Sequence, residues 1–310
     1  MQTSVPSAYS GDFFGPGKEQ PIAHVASLVL ATVLAVVSPL FASESVNFPS
    51  VQRQGGSAVQ LSGYLYRPDG PGPFPVVVML HGCSGLMTRS GKIGANARFW
   101  AAHLRDHGYV ALLVDSFTAR GIDEVCTGRH SLSAVRDRAD DARGALQFVR
   151  QRTDVQADQV GLVGWSNGGA AVLSVMFDKG EPPRDFRAAV AFYPSCQRTY
   201  PGGPDYRPYA PLLVLIGAKD DWTLAAPCVQ WTERAQTLGA PMRLKVYPDA
   251  HHGFDAPNNP AHVRPEVRNR NKPGGCCGAT VGTEPAARAD AIREVTQFFA
   301  SELGGRGVSP

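Results

Sequence analysis

The chain has 310 residues, 43% hydrophobic and 18% charged, enough apolar material for a full core and too little polar bias for disorder. Its formal charge of +3 comes from Lys and Arg residues scattered along the chain, not gathered in a run. That argues against nucleic acid or anionic lipid as a principal partner.

In chain order, residues 1–43 read as an N-terminal extension with an export signal. The stretch Ala23 to Ala42 carries no Lys, Arg, Asp or Glu and ends in small residues where the composition changes. It is also long enough to span a bilayer, so an uncleaved membrane anchor is the alternative. An exported location would make disulfides of the six cysteines. No CxxC pair is present, and no metal or organic cofactor is expected.

Residues 44–305 read as one α/β domain, a mostly parallel, doubly wound sheet with helices on both faces. Gly55 to Tyr66 predicts an antiparallel hairpin at the sheet edge. Six strands follow at Val76–Leu80, Val110–Val114, Val160–Gly164, Ala188–Tyr193, Leu212–Ile216 and Arg243–Tyr247. Near-continuous apolar runs such as PVVVML suit strands buried on both faces. Helices are predicted over Asn96–His107, Leu132–Val149, Gly168–Phe177, Ala225–Leu238 and Pro285–Leu303. Ala256 to Thr283, rich in Asn, Pro, Arg and Gly and without a period, reads as a long loop, and loops of that length commonly carry function.

The candidate chemistry starts at Gly164-Trp165-Ser166-Asn167-Gly168, a GxSxG pattern set between a buried strand and a helix. The sharp turn holds the serine in a strained conformation, and the flanking glycines remove side chains that would clash. A serine nucleophile needs a base and a group that orients the base. Asp220 follows the strand Leu212–Ile216, with Asp221 as its rival. His252 follows the strand Arg243–Tyr247, with His251 as its rival. The strand ends are where open α/β sheets place their sites. Backbone N–H groups of Asn167 and of Cys83, in the loop His81-Gly82-Cys83-Ser84-Gly85, would form the oxyanion hole. Trp165 is a candidate substrate contact.

The segments LHGCSGL, VDSFTARG, GWSNGG, IGAKDDWT and YPDAHHGFD, in that order, resemble the dienelactone hydrolase family, a branch of the α/β-hydrolases, over Val59 to Leu303. The resemblance implies hydrolysis of a small-molecule ester or lactone through an acyl-enzyme, with Ser166, Asp220 and His252 in the triad positions. It also implies Arg120, in DSFTARG, as a cation for a substrate carboxylate; the other reading of Arg120 is a salt bridge. The best-known members have cysteine where this chain has Ser166, which points to an ordinary esterase more than to a dienelactone specialist. The fold leaves two rival functions, a prolyl-oligopeptidase-like peptidase, whose usual gating domain this length does not hold, and a catalytically silent envelope binding protein. On these positions Cys196 pairs with Cys228. Either Cys276 or Cys277 reaches Cys83 or Cys126, or Cys83 and Cys126 pair with each other.

Overall fold

The computed structural model describes residues 43–51, 58–177, 185–196 and 202–304, together with Gly17. The expected signal or anchor, Ala23 to Ala42, lies outside the described residues. Among those described, no helix is long and apolar enough to cross a membrane.

Runs that are apolar on consecutive positions cannot leave one face in water, so they become the centre of the sheet. β3 (Phe74–Leu80), β4 (Val110–Asp115), β5 (Val155–Trp165), β6 (Ala188–Phe192) and β7 (Leu212–Gly217) do so, with Val76 to Leu80 and Leu212 to Ile216 at 3% exposure or less. β8 (Met242–Tyr247) closes one edge. At the other edge the hairpin partner of β2 (Gln60–Tyr66) is β1 (Glu44–Pro49), Glu44 facing Leu65 and Pro49 facing Gln60. The expected hairpin from Gly55 is thereby corrected: its first strand lies further upstream, and residues 52–57 fall outside the described part. The strand order is β1-β2-β4-β3-β5-β6-β7-β8, antiparallel as far as β4 and parallel beyond.

Helices α1 (Ala95–Asp106), α2 (Asp137–Arg150), α3 (Asn167–Met176), α4 (Ala225–Thr237) and α5 (Pro285–Leu303) supply the covering layers. α2 starts five residues later than its apolar period suggested. The Ser133 N–H donates to Asp137 Oδ2 and the Arg138 N–H to the Ser133 carbonyl, so the residues before Asp137 are held in a turn that is not helical. At α5 the Glu284 carboxylate accepts the N–H groups of Ala286 and Ala287, and Pro285 occupies a position whose N–H would be an orphan.

The segment from Ala256 to Thr283 is more ordered than its composition suggests. It contains a small antiparallel sheet, β9 (His262–Arg264) with β10 (Ala279–Val281). Fully buried Asn269 donates to the carbonyls of Asp221 and Gly278 at 2.9 Å each. Asp221 Oδ1 accepts the Thr280 N–H at 2.8 Å. These bonds replace the hydrophobic period that such a short sheet lacks.

Disulfides join Cys83 to Cys126 and Cys196 to Cys228. The second pairing was expected, and the first settles the open alternatives. The alternative in which Cys276 or Cys277 reaches Cys83 or Cys126 is corrected, because both of those sulfurs are taken by each other. Cys126 also packs with Val267 and Ala279 of this Ala256–Thr283 segment, an insertion between β8 and α5, against Trp222. Cys126→Ala is expected to lower unfolding free energy by about 2–4 kcal/mol, measured by denaturant titration without reductant.

Candidate active site

β5 runs into the turn at Ser166, whose φ of 52° and ψ of −111° are strained for a residue with a Cβ. The turn closes because its neighbours have no side chain. A Cβ on Gly164 would lie 2.4 Å from the Gly168 carbonyl oxygen, and one on Gly168 would lie 2.2 Å from that of Leu80. Gly168→Ala therefore collides with strand backbone that cannot yield. It should cost about 3 kcal/mol or more, read as a fall in melting temperature or a loss of soluble protein.

Ser166 Oγ stands 2.9 Å from His252 Nε2, and His252 Nδ1 stands 2.8 Å from Asp220 Oδ2. His252 is 4% exposed and Asp220 2%, so the chain of three is shielded behind its one accessible end. The two ring nitrogens engage different partners, which makes Nδ1 the donor to the carboxylate and leaves Nε2 free to accept the serine proton. Asp220 Oδ1 accepts the N–H groups of Trp222 and Thr223 at 2.9 and 2.8 Å, which fixes the carboxylate's orientation. The neighbouring acid and histidine are elsewhere: Asp221 holds the insertion, and His251 Nδ1 bonds the Lys219 carbonyl at 3.0 Å.

Asn167 opens α3, so its N–H has no carbonyl partner within the helix. Cys83 sits in the facing loop, tied down by the disulfide and by the Val125 N–H on its carbonyl at 2.8 Å. Behind that loop His81 is buried. Its Nδ1 donates to the Gly82 carbonyl and its Nε2 accepts the Ser116 N–H. Burial and the Arg138 charge push its pKa well below the ordinary histidine value, so it is a neutral structural residue. Arg138, itself fully buried, donates to Asn167 Oδ1 at 2.7 Å and so steadies the first residue of α3. Burial lowers its pKa to about 10, which leaves it charged at neutral pH.

A cavity of about 320 Å³ opens over Ser166 and His252. Trp165, Tyr193 and Trp222 provide aromatic walls, and Asn259, His262 and Arg264 come from the insertion. Trp165 lines the cavity with its indole N–H turned to Asp255 Oδ2 at 2.7 Å. Arg120 is not among the lining residues. Its guanidinium is taken by Asp141 at 2.9 and 2.7 Å and by the Ser116 carbonyl at 2.5 Å. The substrate-cation reading of Arg120 gives way to the ion pair, because Asp141 is fully buried and needs a partner.

The model of the dienelactone hydrolase family matches residues 61–303. The chain belongs to that family. Membership makes it a carboxylic ester hydrolase. Among curated relatives, a Bradyrhizobium protein named as a probable 2-oxo-3-(5-oxofuran-2-ylidene)propanoate lactonase is 26% identical over 206 residues, 62% of this chain and 77% of that one. Human dipeptidyl peptidase 8 is 25% identical over 235 residues, 65% of this chain and 26% of the peptidase, so the likeness spans about a quarter of it. Among solved structures, a dienelactone hydrolase-like promiscuous phosphotriesterase from metagenomic libraries superposes with a TM-score of 0.62 at 20% identity, covering 85% of this chain and all of its own. That likeness shows the α/β-hydrolase fold.

Three residues around this hydrolase's site carried no separate signal in the sequence. Thr223 Oγ1 lies 2.9 Å from Asp220 Oδ2 and 3.1 Å from His252 Nδ1. Tyr193 packs its ring 4.5 Å from that of His252. Asp255, three residues beyond His252, is fully buried and accepts four side-chain donors. Asp255 and Thr223 stand inside or beside segments singled out for their neighbours, and a buried acid after Gly-Phe was the available clue.

Proposed function

We propose that the protein cleaves a small-molecule carboxylic ester or lactone through an acyl-enzyme on Ser166, with His252 as base and Asp220 as the group that orients it. The observation that carries this reading is the unbroken hydrogen-bonded chain from Ser166 Oγ to Asp220. As Ser166 Oγ attacks the carbonyl carbon, its proton passes to His252 Nε2, and Asp220 stabilises the imidazolium through Nδ1–H. The N–H groups of Asn167 and Cys83 hold the oxygen that becomes negative. Collapse of the tetrahedral intermediate expels the alcohol, which takes the proton from Nε2. A water molecule then gives its proton to His252 and attacks the acyl carbon, and as the acid is released Ser166 Oγ takes that proton back from Nε2. For a lactone the expelled alcohol stays on the acyl chain, and a single hydroxy acid leaves.

A cavity of about 320 Å³ walled by three aromatic rings suits a short or compact acyl group. Hydrolysis of p-nitrophenyl esters of graded chain length, beside a set of lactones, should peak at acetate to butyrate. An optimum at long acyl chains would overturn the size argument. The likeness to a dipeptidyl peptidase puts a dipeptidyl p-nitroanilide in the same panel; turnover of it above every ester would transfer the reading to a peptidase. Labelling of Ser166 by a fluorophosphonate separates an active enzyme from a silent binding protein. The disulfides Cys83–Cys126 and Cys196–Cys228 fit export to an oxidising compartment, periplasmic or extracellular.

A further inference from the structure

Asp255 is an anion with no part in the steps above, yet it is fully buried beside them. Burying a carboxylate is costly unless donors replace its water, and here four do. Oδ2 accepts Asn96 Nδ2 at 3.0 Å, Trp100 Nε1 at 2.8 Å and Trp165 Nε1 at 2.7 Å. Oδ1 accepts the Tyr193 hydroxyl at 2.6 Å. The donors come from α1, from the residue preceding Ser166 and from the end of β6, while Asp255 itself belongs to the turn that carries His252. Arg288 of α5 donates to its carbonyl at 3.0 Å. One carboxylate thus ties the nucleophile's turn to the base's turn.

The Tyr193 arm reaches the chemistry most directly. Tyr193 has a positive φ of 35°, rare for a bulky residue, and this places its ring against the imidazole of His252, centroids 4.5 Å apart. Its pKa is pushed well above the ordinary tyrosine value by burial and by Asp255, so the phenol stays protonated and donates to the carboxylate. A phenol that donates to an anion carries more electron density in its ring. An electron-rich ring beside a histidine favours the cationic imidazolium over the neutral imidazole. Trp222 flanks the same imidazole at 4.8 Å.

We propose that Asp255 is a positioning residue that acts on His252 through the ring of Tyr193, which packs against the imidazole at a tilt of 56°, and so stabilises the imidazolium formed during acyl transfer. The proposal rests on Ser166 and His252 being the reacting pair. Its interaction would be stronger in the transition state than in the ground state, so it belongs in kcat and not in KM.

The test is a double-mutant cycle of Asp255→Asn and Tyr193→Phe, assayed with p-nitrophenyl acetate well below the melting temperature. Tyr193→Phe keeps the ring and removes the hydroxyl. In Asp255→Asn the amide can donate to the phenol oxygen, which reverses the polarisation. Each single variant should lower kcat about 10- to 100-fold with KM within about 3-fold, and the pair should lose no more than the worse single. Full kcat in Tyr193→Phe, or losses that multiply in the double variant, would overturn the proposal. If Asp255→Asn fails to fold, Tyr193→Phe alone decides by the same kcat criterion. An inactive wild-type protein, unlabelled by fluorophosphonate, would instead strike at the Ser166 reading itself.

Discussion

Ser166→Ala should reduce kcat/KM on p-nitrophenyl acetate by about five to six orders of magnitude and abolish fluorophosphonate labelling. Among the described residues Ser166 supplies the hydroxyl bonded to His252 Nε2, so alanine leaves that nitrogen with no hydroxyl to deprotonate. The fold should survive, because the serine hydroxyl makes one side-chain bond, to His252, at the wet end of the chain. A melting temperature within a few degrees of wild type is the expected control. His252→Ala should fall as far, since serine and base act as one unit and removing either disables both. An active Ser166→Ala variant would require another nucleophile, and Ser84, which lines the same cavity, would be the place to look.

Two adjacent acids give the second large effect. Asp220→Asn should lower kcat about 10⁴-fold, by analogy with the loss when the acid of a serine triad becomes an amide. Asparagine would still accept from Trp222 and Thr223 through Oδ1, but its Nδ2 would face His252 Nδ1 as a donor and force the opposite tautomer. The proton would then sit on Nε2, where the serine proton must go. Asp221→Asn, one residue along, should leave kcat within about 3-fold. Its carboxylate accepts the Thr280 N–H and lies 3.5 Å from Lys272 Nζ, and the amide can keep the first of these bonds. Steady-state kinetics of the two variants side by side would decide which acid orients the base. Equal losses in both would contradict the geometry.

The parallel part of the sheet was readable from the chain, because buried strands such as Val76–Leu80 must be apolar at every position. The three residues of the hydrogen-bonded chain were readable because topology puts them at strand ends: Ser166 after β5, Asp220 after β7 and His252 after β8. What escaped depends on distant partners. β1 spells ESVNFP, with no clean alternation, and becomes a strand only by pairing with β2. β9 and β10 are three residues each and exist because Asn269 and Asp221 pin them. Arg120 could be read as a substrate cation or as half of a salt bridge, since nothing nearby in sequence announces Asp141, 21 positions along the chain. Asp255 gathers donors from positions 96 to 193, a set no local pattern reveals.

The insertion between Ala256 and Thr283 provides Asn259, His262 and Arg264 to the cavity but none of the three residues in the proton chain. Its anchors to the rest of the protein are largely main-chain or amide bonds at its base, among them the Gly282 N–H on the His252 carbonyl at 3.0 Å and Asn269 on the Asp221 carbonyl. The cavity is thus shared, its aromatic walls Trp165, Tyr193 and Trp222 coming from the core and its polar rim from this one stretch of the gene. A library confined to codons 259–264 is expected to change which esters are accepted with the hydrogen bonds among Ser166, His252 and Asp220 left in place.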